Sequence, residues 1–241
     1  VEALEDHKGT VRIGGRTLTN LRFADDIDGL AGSEEELREL VRRLDATSTR
    51  FKMEISAEKT KIMTNKEEGM AHNINLKGKP LERVTQFKYL GSIISEEGSK
   101  IELRARSAQA MVAISKLNIV WRDRNISMRT KIKLMRSLVL SIFLYACETW
   151  TLTSQLEKKI QSFEMRCFRR LLNITYRDRI RNEEVERRIR QTIGPYESLL
   201  NSVKRRKISW YGHVTRSTGI AKTILQGTVI GSRRRGRPKK R

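Results

Sequence analysis

Two adjacent carboxylates carry the clearest chemical potential in this chain. Phe23-Ala24-Asp25-Asp26 lies between two short runs with strand character, Thr17 to Phe23 and Ile27 to Ala31. At a hairpin tip the alternation of strand side chains is broken, so neighbouring aspartates can face one cleft. Their oxygens suit hard, hydrated cations such as Mg²⁺ and leave coordination positions for phosphates. Two-metal phosphoryl transfer uses such ligands around ions about 3.5–4 Å apart, one activating the attacking oxygen and one stabilising the leaving oxygen. The spacing alone fits a solvated turn as well. A second feature sets positive charge beside rings: Lys204-Arg205-Arg206-Lys207 precedes Trp210-Tyr211. Cations for phosphates and rings for unpaired bases are what a single-strand binder needs, although Trp210 and Tyr211 would equally serve a core.

The elements that must position these groups follow from periodicity. Gly14-Gly15 marks a turn ahead of the first hairpin. Ser33 stands three residues before Glu36, a capping box, and Glu34 and Glu35 occupy the first turn of the helix it opens. Leu37, Leu40, Val41, Leu44 and Phe51 recur on one face of that helix. Met53 to Met63 alternates as a strand, with Ile55 and Ile62 apolar, and carries Lys59. Residues 64–83, with four turn formers, form a loop or weak hairpin, and Phe87 to Ile94 is a further strand ending at Ser95-Glu96-Glu97-Gly98.

From residue 99 the period becomes helical. Ile101 to Asn118 places Leu103, Ala110, Ile114 and Leu117 on one side, with Arg104, Arg106 and Lys116 elsewhere. Ser127 to Cys147 is apolar nearly all round in its second half, the pattern of a buried helix. Ser154 to Asn173 has a stripe of Leu156, Ile160, Phe163, Cys167 and Leu171, with Lys158, Lys159, Arg166, Arg169 and Arg170 mainly off it. A charged helix, Arg181 to Thr192, ends at Gly194-Pro195, and another carries Leu199, Leu200 and Val203. Short strands first and helices later give an α+β class.

The 241 residues have room for one large or two modest domains. The net charge of +22 is uneven: residues 1–50 hold 8 Lys/Arg against 11 Asp/Glu, whereas residues 198–241 hold 13 Lys/Arg and no acid. A polyanionic partner for the second half is the natural inference, with a solvated basic surface as the plain alternative. Two cysteines, Cys147 and Cys167, do not make a disulfide framework and fit a reducing compartment. Three scattered histidines offer no zinc spacing. The longest apolar run, Leu138 to Cys147, falls short of the roughly 20 residues of a membrane helix, and no secretory leader is visible after Val1. These features point to a soluble, non-secreted chain, and the start without Met suggests part of a longer one.

The order of the Asp25-Asp26 hairpin, the amphipathic helix, the Met53 to Lys61 segment and Phe87-Lys88-Tyr89-Leu90-Gly91 resembles the C-terminal half of a reverse transcriptase palm. More closely it is similar to non-LTR (LINE-type) retrotransposon reverse transcriptases. The resemblance continues through Tyr145-Ala146-Cys147-Glu148-Thr149-Trp150, Phe163-Glu164-Met165-Arg166-Cys167 and Trp210-Tyr211-Gly212-His213-Val214 to Arg235-Gly236-Arg237-Pro238. It implies a partial palm over 1–98, a helical thumb over 99–180, and a basic post-thumb segment over 181–241 with an AT-hook-like tail at Arg235, Gly236, Arg237 and Pro238. That tail also resembles a nuclear-localisation run or a plain basic tail.

The resemblance implies RNA-directed DNA polymerisation with RNA template, DNA primer or target and dNTP as partners, and Mg²⁺ as the cofactor of a two-metal site that is incomplete in this chain. Asp25 would be the main metal ligand and Asp26 a weaker one, while Lys59 would lie near the leaving pyrophosphate or be a surface lysine. Phe87, Lys88, Tyr89, Leu90 and Gly91 would form a primer grip. Lys158, Lys159, Arg166, Arg169, Arg170, Lys204, Arg205, Arg206 and Lys207, with Trp210 and Tyr211, would hold nucleic acid. The family places a glycine where Lys52 stands. It also carries a first catalytic aspartate, nucleotide-binding fingers and often an endonuclease domain, none of which lies in these residues. The chain alone is therefore expected to be inactive, and a full-length element would work as a ribonucleoprotein in nucleus and cytoplasm. A nucleic-acid-binding module without catalysis and a retrotransposon relic are the alternatives.

Overall fold

The computed structural model describes residue 4 and residues 9–64 and 74–227. The chain divides into two units, the first reaching to Phe87 and including the segment from His213, the second spanning Lys88–Gly212. Helices and short two-stranded ribbons make it an α+β protein, as expected.

In the first unit, β1 (Arg12–Ile13) pairs antiparallel with β2 (Arg16–Thr17) across Gly14-Gly15. Next, β3 (Asn20–Phe23) and β4 (Asp26–Gly29) form an antiparallel hairpin, in register from Asn20 opposite Gly29 to Phe23 opposite Asp26. Helix α1 (Glu34–Arg50) starts where the capping pattern places it: the Ser33 hydroxyl accepts the Glu36 N–H at 3.2 Å, and three glutamates fill the first turn. Leu40 buries itself against β4 because Gly29 has no side chain; a Cβ there would lie 2.4 Å from Leu40 Cδ2.

After α1 the chain turns through Lys52, whose φ of 56° is left-handed. The expected strand from Met53 to Met63 shrinks to β5 (Lys61–Ile62). The cause is local: Lys59 N–H donates to Ser56 Oγ at 3.4 Å, and the Thr60 N–H and hydroxyl both donate to the Ser56 carbonyl at 3.0 and 2.8 Å. Small hydroxyl side chains thus hold residues 56–60 in a turn that competes with a ladder. β5 pairs parallel with β8 (Glu82–Arg83), and β6 (Asn75–Leu76) pairs antiparallel with β7 (Lys79–Pro80). Ile62, Ile74, Leu76 and Leu81 form a small core, joined by Leu37 and Val41 of α1. Helix α9 (Ile220–Gln226) also belongs to this unit.

A second four-residue hairpin, β9 (Gln86–Tyr89) and β10 (Ser92–Ser95), turns at Leu90-Gly91. The second unit continues with α2 (Ser99–Lys116), α3 (Asn118–Arg122) and α4 (Met128–Leu134). The helical path of α4 runs on through a π-helical stretch, Met135–Leu140, into α5 (Ser141–Phe143). α6 (Ser154–Leu171), α7 (Asn182–Ile193) and α8 (Leu199–Arg216) follow, α8 belonging to this unit up to Gly212. The stripe Leu156, Ile160, Phe163, Cys167 and Leu171 is buried in full, as its spacing requires.

One aromatic cluster centres this unit: Phe143 stacks on Phe163 at 4.4 Å and meets Trp150 edge-on at 5.4 Å. Arg106, expected off the apolar side of its helix, is instead buried with Glu102, at 8% and 2% exposure. The reason is their i,i+4 spacing: the Arg106 Nε donates to Glu102 Oε1 at 2.7 Å, so both charges enter the interior as a pair. Cys147 and Cys167 are free and buried, and loss of water pushes their thiols up to about 11 and about 12. Among the described residues no helix is long and apolar enough to cross a membrane.

Candidate metal and nucleic-acid sites

In the first unit, Ala24 and Asp25 are the two central residues of the β3–β4 turn, and Asp26 is the first residue of β4. Ala24 carries the positive φ, 53°, that a tight two-residue connection demands. Phe23, Asp25 and Asp26 are all exposed, so this tip presents an aromatic ring and two carboxylates to its surroundings. Asp28 follows on the same face of β4 as Asp26. Partial burial raises the Asp28 carboxyl above its usual range, and the charge of Asp26 adds to the rise. A cation here would relieve that repulsion.

The donor chemistry therefore fits a hard divalent ion, but the donor count does not complete a site. Among the described residues no three His, Cys, Asp or Glu side chains gather into a metal-holding group. Lys59 is exposed in the 56–60 turn, and its ammonium has no hydrogen-bond partner among the described residues.

The β9–β10 tip is built quite differently. Leu90 and Gly91 are both left-handed, with φ of 47° and 81°. The Tyr145 hydroxyl donates to the Leu90 carbonyl at 2.6 Å, and an Arg106 Nη donates to the Gly91 carbonyl. Arg106 also lies over the Tyr145 ring, 4.4 Å from its centre. The other oxygen of Glu102 accepts the Ile93 N–H at 2.7 Å. Gly91 is required here on two counts, its φ and the Tyr145 hydroxyl that would lie 3.3 Å from a Cβ. Three side chains from two later elements thus over-determine one turn. Lys88 and Leu90 remain exposed, while Phe87 and Tyr89 are half-buried.

The basic residues sort into several groups. Lys158, Arg166, Arg170 and Arg206 are exposed, and Lys159 is half-exposed; none of the five makes an ion pair among the described residues. Lys204 pairs with Glu157 at 2.9 Å and Arg205 with Glu197 at 2.9 Å, exposed or half-exposed pairs that exchange easily for phosphate. Arg169 is committed to the Ile180 carbonyl at 2.9 Å and the Asn182 side chain at 2.8 Å.

Lys207 departs from the expected free basic run. Its half-buried ammonium donates to the Glu148 and Trp150 carbonyls at 2.9 and 2.6 Å, closing the turn after Tyr145. Burial lowers its pKa. The signal was present: Lys207 lies four residues after the buried Val203, on the apolar stripe of α8. Trp210 and Tyr211 are exposed, at 39% and 53%, not core. Arg235, Gly236, Arg237 and Pro238 lie outside the described residues.

Several organising residues carry little signal in the sequence. Glu102 and Arg106 announce themselves only by i,i+4 spacing, which surface pairs share. Glu164 is buried on α6, and its Oε1 accepts the Leu199 N–H at the start of α8, at 2.8 Å. Burial raises its carboxyl to about 7, against the opposing hydrogen bond from Leu199.

No family model matches the chain, and no solved structure matches it. A protein of Caenorhabditis elegans, described as an uncharacterized transposon-derived protein, is 30% identical over 215 residues, covering 86% of this chain and 75% of that protein. Identity of that extent spans both units, and it shows that the chain belongs to the family of this transposon-derived protein.

Proposed function

We propose that this chain is the primer-holding and template-holding part of an RNA-directed DNA polymerase of a non-LTR retrotransposon. The observation that carries the reading is the β3–β4 tip, which exposes Asp25 and Asp26 on a two-residue turn beside Phe23. Mg²⁺ is the cation of choice for such carboxylates, and it would supply charge stabilisation to phosphoryl transfer. Asp25 and Asp26 would hold it, and Lys59 would offset phosphate charge. The β9–β10 tip, with Lys88 and Leu90 exposed on a fixed turn, suits a grip on the primer end. Positioning of this kind lowers a barrier by restricting the reacting groups, not by touching their electrons. Lys158, Lys159, Arg166, Arg170, Lys204, Arg205 and Arg206 suit the backbone of an RNA–DNA duplex, an attraction that falls steeply with salt. RNA template, DNA primer and dNTP are the partners this requires.

With Asp25 and Asp26 as its metal ligands and, among the described residues, no group of three carboxylate, His or Cys side chains to complete a site, the 241-residue chain alone is expected not to extend a primer. Nucleotide incorporation by the purified chain would refute that. A second reading, a binding module that works without catalysis, is favoured by the exposed Lys158, Arg166, Arg170 and Arg206, which need no metal site. Asp25→Asn separates the two: a binding module keeps its function, whereas a polymerase containing this chain loses incorporation while still binding primer–template.

A further inference from the structure

Between α6 and α7 the chain makes one built turn whose residues no feature of the proposed polymerase uses. Tyr176 stands on it with 97% of its surface exposed, more than any other large apolar or aromatic side chain among the described residues. The turn beneath the ring is closed at both ends. Asp178 accepts both the Thr175 N–H and the Thr175 hydroxyl, at 2.5 and 2.8 Å, and its own N–H returns to the Thr175 carbonyl at 3.3 Å. Those bonds hold the Asp178 carboxyl below its usual range, so it stays ionised and occupied within the turn. Arg169 then ties the following residues down through the Ile180 carbonyl and Asn182.

The one carboxylate of the turn, Asp178, is taken up by Thr175, and the other charged residues next to the ring in sequence are basic. Arg177, Arg179 and Arg181 are all exposed, and among the described residues none of the three pairs with a carboxylate. A fixed backbone, a ring with no packing partner and unspent guanidinium groups at neighbouring chain positions match an unpaired nucleobase with its flanking phosphates. An apolar protein partner would gain little from so charged a rim, and a duplex presents no open base face.

We propose that Tyr176 is a stacking site for an unpaired base of a single-stranded nucleic acid, with Arg177, Arg179 and Arg181 holding the neighbouring phosphates. The proposal rests on the nucleic-acid-binding part of the function above, and adds a site to it outside the basic helix faces. Stacking is indifferent to base identity, so the site would take RNA or DNA strands of mixed sequence.

The test measures binding of the full chain to fluorescent single strands of RNA and of DNA, about 15 nucleotides long, and to the matching duplex, at one fixed salt concentration. Tyr176→Ala is expected to weaken single-strand binding about tenfold and duplex binding less than about twofold, and Tyr176→Phe and Tyr176→Trp to restore wild-type affinity. A loss on either strand type carries the proposal, and the larger loss names the occupant. A second arm removes the bases: Tyr176→Ala should weaken binding of the normal strand but leave binding of a strand of abasic residues unchanged from wild type. Equal single-strand affinity of wild type and Tyr176→Ala overturns the stacking site and leaves the wider reading intact. Wild-type chain that binds neither strand nor duplex overturns both.

Discussion

The molecule contains two hairpins of the same plan and opposite treatment. β3–β4 and β9–β10 each join four-residue strands through a two-residue turn, and each turn begins with a left-handed non-glycine residue, Ala24 and Leu90. A left-handed residue of this sort costs on the order of 1–2 kcal/mol and persists only where something repays it. At Leu90-Gly91 the repayment is visible: Tyr145 and Arg106 bind the two turn carbonyls, and Glu102 accepts the Ile93 N–H at the start of β10. At Ala24-Asp25 no comparable side chains converge among the described residues, and two carboxylates and a phenyl ring are left facing outward. The first arrangement is suited to keeping a position, the second to accepting a ligand. In the proposed polymerase, holding and chemistry are thus assigned to different hairpins.

That contrast can be broken most forcefully at Glu102. Glu102→Ala leaves the Arg106 guanidinium buried without its partner, and is expected to cost about 3–5 kcal/mol in denaturant unfolding. Asp25→Asn and Asp26→Asn, at exposed positions of the other hairpin, are expected to change stability by less than about 0.5 kcal/mol. Equal costs at the two hairpins would erase the distinction.

Glu164 tests whether the second unit holds a buried acid under strain. Its native pKa is raised to about 7, above the ordinary value near 4.5. Between these values the folded state keeps a proton that the unfolded state has released, so stability falls as pH rises from about 4.5 to 7. Glu164→Gln keeps an oxygen to accept the Leu199 N–H and removes the titration. It should flatten that decline and stabilise the protein at pH 8 by about 1–3 kcal/mol, measured as unfolding free energy against pH. A variant that keeps the wild-type slope would place the titrating group elsewhere.

Smaller effects refine the comparison. Tyr145→Phe removes the hydroxyl that holds the Leu90 carbonyl and should cost about 1 kcal/mol, with faster amide exchange at the β9–β10 turn and none at β3–β4. Lys52→Gly relieves the left-handed residue after α1. The relief of about 1–2 kcal/mol is partly cancelled by the freer unfolded chain, for a net gain of about 0.5–1 kcal/mol in thermal unfolding.

How much of this was legible in the sequence depended on the range of the interactions involved. α1, with its Ser33 cap, and α6, with its stripe, were readable because caps and periodicity are local. The Asp25-Asp26 turn was equally readable, as a break between strand runs, although it is two residues long and not three because Asp26 already pairs with Phe23 in β4. The Met53 to Met63 strand was not: the Ser56 and Thr60 hydroxyls gave the backbone a nearer partner than a neighbouring strand. Arg106 and Lys207 looked like surface charge, because the carbonyls they bond lie 15 and 57–59 residues away in sequence. Tyr176 had no signal of its own, since only the folded turn reveals that nothing in the described chain covers the ring.

The central claim, that one hairpin carries chemistry and the other carries position, is tested most directly by RNA-templated primer extension. The protein to use is the product of the whole reading frame that contains this chain, compared with its Asp25→Asn variant. Mg²⁺-dependent extension is expected of the parent, and in the variant a loss of extension by orders of magnitude with primer–template affinity unchanged. Extension that survives Asp25→Asn, or a parent that binds primer–template but never extends it, would contradict the catalytic assignment and leave a nucleic-acid-binding module in its place.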